Sequence, residues 1–432
     1  MRLLKVFSTN IFVLMAVLLA IHVALNIFGS TSEVEAVGDV VNVYKPWVDA
    51  IGPQTKWLGV AQPWVYPFVA WAPIVVARWL IPFDYLQSWM LLATLLNLVA
   101  VGQLVRWGRR TQAFAAAWFY LAFVALLGPV AITRLDGISV SLAIIGIASL
   151  LRASDQIASR IDATRFALVW FTIAAWIKVW PVALVLSVLQ KGAALRAQIL
   201  VIGATCLVIL GLGVVLGGDA NLFSFVITQT DRGLQVESPI AFIWVAMATA
   251  GAAHSIVYFD TPLMTYQVSG DGVAIVSSLM SLVQFGAVAI TAFLMWRASK
   301  TNVRLNQIMV LTALTATLDL IVFNKVGSPQ YQLWLAAPVV LGLALGLPKW
   351  RVPTIAVLML ALLTHQVYPL HYNEMLTLQP YAVALLGLRN LILIALLVWS
   401  NLELGKLAKP VLGDRVSSSE ALAGKAKTRL AV

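Results

Sequence analysis

Carboxylates, cations and amides gather in five short segments of this 432-residue chain, each beside a long apolar run. The first, EVEAVGDVVNVYKPWVDA, carries Glu33, Glu35, Asp39, Tyr44 and Asp49. ITRLDGIS follows with Arg134 and Asp136, and IKVWP with Lys178. TQTDRGLQVESP adds Asp231, Arg232, Gln235 and Glu237; FNKVGSPQYQLW adds Asn324, Lys325, Gln330 and Gln332. Polar groups so close to lipid are costly unless they work or are paired. Carboxylates together with cations suit transfer of a group from a lipid phosphate. A carboxylate can take the proton of an acceptor hydroxyl, and Arg or Lys can stabilise the leaving phosphate. Tyr44, Trp47, Trp57, Trp64 and Tyr66 suit sugar faces or an interfacial aromatic belt.

Plainer roles exist for each. Asp39 and Asp49 can be solvated loop carboxylates, with Asp49 orienting a surface helix. Arg134 and Asp136 can be an ion pair at a helix end. Lys178 can extend along apolar surface to the interface, and Arg389, inside an apolar run, either does the same or faces the site. FNKVGSPQYQLW can be a buried polar clasp between helices. His365 and His371 lack ligand spacing with any carboxylate pair, so no metal site is expected, and no cofactor motif is present: neither a phosphate-binding GxxxxGK[ST] nor a dinucleotide fingerprint occurs.

The elements that must position these residues follow from composition. Apolar residues make up 61% of the chain and charged residues 11%. Continuous rather than alternating apolar runs of bilayer length predict an all-α polytopic membrane protein, not a barrel. The single cysteine, Cys206, excludes an intrachain disulfide. The net charge of +11 comes mostly from basic clusters between spans, which points to anionic lipid rather than nucleic acid.

Placing those basic clusters in the cytoplasm gives roughly twelve membrane segments with both termini inside. Spans are predicted at 9–29, 84–106, 112–132, 137–152, 197–217, 272–296, 305–323, 329–347, 352–369 and 380–400. A helix over 65–80, broken by Pro67 and Pro73, is expected to lie at the outer surface. Residues 164–190, interrupted at Lys178–Pro181, read as two short half-helices. The membrane domain is placed at 1–400, and 401–432 reads as a disordered basic cytoplasmic tail. All five polar segments then fall on the external face.

In their order and spacing, GDVVNVY, RLDG, IKVWP, DRGLQVES and FNKVGSPQYQLW resemble glycosyltransferase family 87, of the polytopic GT-C superfamily. The resemblance covers about 35–335. It implies a polyprenyl-phosphate-dependent mannosyltransferase of the actinobacterial envelope, or an arabinofuranosyltransferase, acting on a glycolipid or polysaccharide acceptor. It also implies that Asp39 is the catalytic residue. FNKVGSPQYQLW resembles, too, a segment of the eukaryotic enzyme that adds the first mannose to the GPI anchor. Some phosphatidylinositol-mannoside elongating members carry a His-containing segment where this chain has NKVGSPQ.

On this reading the donor phosphate sits among Arg134, Lys178, Arg232 and Lys325. Tyr44, Asp49, Asp136, Gln235, Glu237, Asn324 and Gln330 position sugar or acceptor, and attack from the far side inverts the anomeric carbon. A transporter or flippase of lipid-linked sugar is the rival class, although no inverted repeat is visible.

Overall fold

The computed structural model describes residues 8–31, 36–52, 55–152, 157–189, 193–228, 232–261, 263–300 and 304–409. Glu33, Glu35, Asp231 and most of the expected basic tail lie outside these residues. The chain is mostly helical. Helices α1 (Ile11–Thr31), α2 (Lys45–Asp49), α3 (Trp71–Leu80), α4 (Tyr85–Trp107), α5 (Arg110–Leu127) and α6 (Leu135–Leu151) are followed by α7 (Ile157–Ala175), α8 (Val182–Val188), α9 (Ala193–Val215) and α10 (Phe242–Thr249). After a hairpin of β1 (Ile256–Asp260) and β2 (Thr265–Ser269) come α11 (Val273–Ala298), α12 (Leu305–Val322), α13 (Ala336–Ala344), α14 (Arg351–His365) and α15 (Pro380–Leu407). Among the described residues, seven helical stretches are long and apolar enough to cross a membrane: α1, α4, α9, α11, α12, α15 and residues 351–370. Helical backbone satisfies its own polar groups, so an apolar run of this length can sit in lipid.

The core is built around α12, buried on nearly all sides from Val310 to Leu318. By contrast α9 and α11 stand at the periphery and expose large apolar side chains such as Leu207, Leu212, Leu282 and Phe285. Exposed apolar surface on this scale is what a lipid-facing helix presents. Helix α3 divides its faces: Trp71, Ile74 and Ala77 are buried while Val76 and Trp79 are exposed.

The basic clusters share one end of the bundle. The guanidinium groups of Arg106 and Arg152 lie over the Trp107 ring, 4.8 and 4.5 Å from its centroid. Lys349 and Lys406 both reach Glu403, at 3.8 and 2.6 Å. Gly346, beside Lys349, packs against Gln112 at the start of α5. The polar segments are at the opposite helix ends.

Two expectations are corrected. The segment around Lys178 is not two short half-helices, because α7 runs for 19 residues and only α8, of 7 residues, is short. Its break falls at Trp176–Pro181, where Pro181 withholds a backbone donor. The mostly helical fold agrees with the all-α expectation, and one hairpin adds to it. Strands β1 and β2 form an antiparallel pair with Val257 opposite Val268. Val236 donates to the Tyr266 carbonyl and Val268 to that of Leu234, so residues 234–236 line the hairpin's free edge. Finally, α15 continues to Leu407, past the expected boundary at 400.

Candidate functional site

Residues of the first loop turn back onto the bundle as a helical turn of π type over Asp39–Tyr44. Two hydrogen bonds dock it on the start of α6: the Thr133 hydroxyl donates to the Ala36 carbonyl (3.0 Å), and the Leu135 amide to the Tyr44 hydroxyl (3.4 Å). This places the Asp39 carboxylate against Arg134, with Oδ1 2.6 Å from Nη1. Arg134 also donates through Nη2 to the Tyr368 hydroxyl, at 3.2 Å. Its Nε is buried and has no hydrogen-bond partner. Buried N–H groups are nearly always satisfied, so an orphan aimed into a polar site is a place for a ligand atom.

Arg134 and Asp136 do not pair with each other. Side chains two residues apart at a helix start do not face each other. Asp136 turns inward instead, 3.3 Å from Lys178 Nζ, and accepts from Trp334 Nε1 at 2.7 Å. It lies in the first turn of α6, where the helix dipole favours negative charge. Lys178 itself lies over the Tyr66 ring, 4.4 Å from its centroid. Trp334 stacks on Trp180 and Tyr331, and Trp180 Nε1 donates to the Ser139 hydroxyl at 2.8 Å. An aromatic wall thus fixes Asp136 and Lys178 in place.

Tyr66 stands between these groups. Burial first, then the charges of Asp39 and Asp136, push its phenol above the ordinary value, while Arg134 and Arg232 pull the other way. It therefore remains a neutral hydroxyl, and its electrostatic neighbours show that Arg232 belongs to the same end of the molecule.

Gly327 explains the third layer. A Cβ there would collide with the Ser238 nitrogen, so only glycine lets residues 324–328 rest on the Glu237–Ser238 backbone. The Gln235 amide donates to the Lys325 carbonyl (3.0 Å), and the Ser328 hydroxyl to Gln235 Oε1 (3.3 Å). Asn324 does not reach toward Asp39. Its Nδ2 donates to the Leu320 carbonyl and its Oδ1 accepts from the Val326 amide, so it shapes its own turn. Gln330 is half-buried on the following 3-10 turn, while Lys325 is 7% exposed.

Glu237 is sealed. Arg389 Nη1 donates to its carboxylate at 3.2 Å, a second guanidinium nitrogen donates to its backbone carbonyl, and Tyr372 hydrogen-bonds its side chain. Burial pushes Glu237 up to about 7 against the pull of Arg389. Asp49 is elsewhere: it pairs with Lys45 four residues back on an exposed turn.

Tyr368 and Trp334 carry much of this geometry and were not singled out in the sequence. Trp334 lies within FNKVGSPQYQLW; Tyr368 comes from the distant VYPLHY run. Among the described residues no three His, Cys, Asp or Glu side chains converge. Compared with known protein families, curated proteins and solved structures, the chain finds no match.

Proposed function

We propose that the chain transfers a sugar, mannose in the first instance, from a polyprenyl-phosphate donor to a glycolipid or polysaccharide acceptor of the cell envelope. The observation that carries this reading is the Asp39–Arg134 pair. Asp39 is 29% exposed and Arg134 7%, so an open carboxylate is backed by a nearly enclosed guanidinium. The orphaned Nε of Arg134 supports a role for an incoming polar group. In this reading Asp39 accepts the proton of the acceptor hydroxyl as its oxygen attacks the anomeric carbon. The bond from that carbon to the phosphate oxygen breaks, and polyprenyl phosphate leaves toward the cationic side chains. Attack opposite the leaving group inverts the centre. Asp136, held by Lys178 and Trp334, positions rather than reacts.

The membrane arrangement belongs to the same proposal: about twelve membrane segments, cytoplasmic termini and an external site. The shared basic end of the bundle supports it. Purified protein in membranes should incorporate labelled mannose from polyprenyl-phosphate-mannose into lipid or glycan, and lose this with Asp39→Asn. Incorporation only from the arabinose donor would reassign the sugar. Movement of lipid across the membrane without incorporation would replace the transferase with a transporter.

A further inference from the structure

One carboxyl of the helical core takes no part in the site described above. Asp319 lies on α12, the most enclosed of the seven membrane-length helices, and is 2% exposed. Among the described residues its carboxyl has a single partner: the Thr291 hydroxyl of α11 donates to Oδ2 at 2.6 Å. An ionised carboxylate presents about four acceptor positions. Enclosing one without a cation costs far more than a single neutral hydroxyl returns.

The elements packed on α12 supply no such cation. Helices α8 and α13 carry no titratable side chain. On α11 the one cation is Arg297, beyond Thr291 toward the basic end and against the Phe293 ring. On α15, Arg389 is taken by Glu237 and Asn390, and Lys406 by Glu403. The 3-10 turn before α13 carries Tyr331, stacked on Trp334. A proton is then the counter-charge that remains.

The same face of α12 offers that proton an acceptor. Thr315 precedes Asp319 by four residues and Thr312 by seven, so the three share one side of the helix. Both threonines are fully buried, and neither hydroxyl has a hydrogen-bond partner. Buried hydroxyls are nearly always satisfied. An acid proton one turn away, direct or through a water, satisfies Thr315. Asp319 is also within one turn of the polar end of the bundle, since α12 stops at Val322 and Asn324 is half-buried.

We propose that Asp319 is a proton-binding site: a carboxylic acid that holds its proton between α11 and α12, turned toward Thr315, and exchanges it with water at the polar end of the bundle. The bound proton also fastens α11. That helix buries few side chains on the core, and Thr291 is one of them. The proton is held whether or not the chain transfers a sugar.

Infrared spectra of the full-length protein in nanodiscs, in light and heavy water, read protonated carboxyls directly. A Glu237→Gln background silences the other enclosed acid. A carboxylic-acid C=O band that moves in heavy water is expected, and Asp319→Asn should remove it. A missing band, or one that survives Asp319→Asn, would overturn the site. A band that heavy water leaves in place would overturn the exchange. Because Asp319→Asn can fail to fold, Thr291→Val and Thr315→Val are measured as well. Each removes one hydrogen bond to the acid and should shift the band without abolishing it; a band unmoved by both would place the acid elsewhere. A band that appears only after sodium is exchanged for choline would mean a carboxylate holding a metal ion, and would replace the proton with that ion.

Discussion

Two carboxylate–guanidinium pairs occupy the same half of the molecule and differ in one respect. Asp39–Arg134 is 29% and 7% exposed; Glu237–Arg389 is 1% and 1%. The two are linked through aromatic side chains: Arg134 donates to Tyr368, whose ring meets that of Tyr372 edge-on at 5.0 Å, and Tyr372 bonds Glu237. The same chemistry serves two ends. In the sealed pair both partners are enclosed, Arg389 also reaching Asn390 Oδ1 and the Glu237 carbonyl, so no substrate atom can enter. In the open pair the carboxylate faces outward and the guanidinium keeps an orphaned N–H. Exposure, not residue type, separates a pair open to an incoming group from one that fastens loop to helix.

The comparison breaks most sharply at Asp39. Asp39→Asn preserves size and most hydrogen bonding but cannot take a proton. Turnover in the mannose-incorporation assay should fall by about a hundred- to ten-thousand-fold, with detergent-solubilised protein melting near the wild-type temperature. Near-normal turnover in this variant would remove Asp39 from the mechanism. If Glu237→Gln abolished turnover without a change in melting, the roles of the two pairs would be reversed.

Arg389→Leu is the counterpart on the sealed side. Removing Arg389 leaves the buried Glu237 carboxyl and carbonyl without their guanidinium donors and costs about 1–3 kcal/mol. Expected results are low yield and early thermal unfolding, with residual folded protein still active. A variant that melted like wild type would mean that this pair is not a fastening.

The same pair gives the wild-type protein a pH dependence. Glu237 titrates at about 7 in the fold against an ordinary 4.5, so folding is favoured while the group is neutral. That contribution is fully present below about 4.5 and is lost as pH rises through about 7. Melting temperature should therefore decline between pH 5 and 7.5 by more in wild type than in Glu237→Gln, where the titrating group is gone. Parallel curves would place the titration elsewhere.

The sequence disclosed several long helices well and the pairings poorly, for physical reasons. Continuous apolar runs mark helices whatever they touch, and α1, α4, α11 and α12 begin and end within about two residues of expectation. The hairpin IVYFDTPLMTYQVS was missed because its apolar residues adjoin the run that becomes α11, and its alternation is short. Ion-pair partners depend on contacts between distant segments. Arg134 and Asp136 are neighbours in sequence, yet their partners come from 95 and 42 residues away, at Asp39 and Lys178. The requirement for glycine at 327 comes from the Ser238 backbone against it, a contact between distant segments. Arg389 was left open between interface and site, and its enclosure by Glu237 and Asn390 is a third outcome.

The smallest effect is expected at Asp49, and it sharpens what exposure means. Asp49 lies ten residues from Asp39 in the same loop and also pairs with a cation, Lys45, but the two side chains are 55% and 49% exposed. Exposed pairs four residues apart on a helix contribute only about 0.3–0.5 kcal/mol. Unlike Asp39, Asp49 has no nearly enclosed guanidinium behind it, and its partner is in its own turn. Asp49→Asn should change melting and donor affinity little, and turnover by less than about threefold, well short of the loss expected for a general base. A loss matching that of Asp39→Asn would show that openness alone suffices. The enclosed arginine would then no longer distinguish the reactive carboxylate.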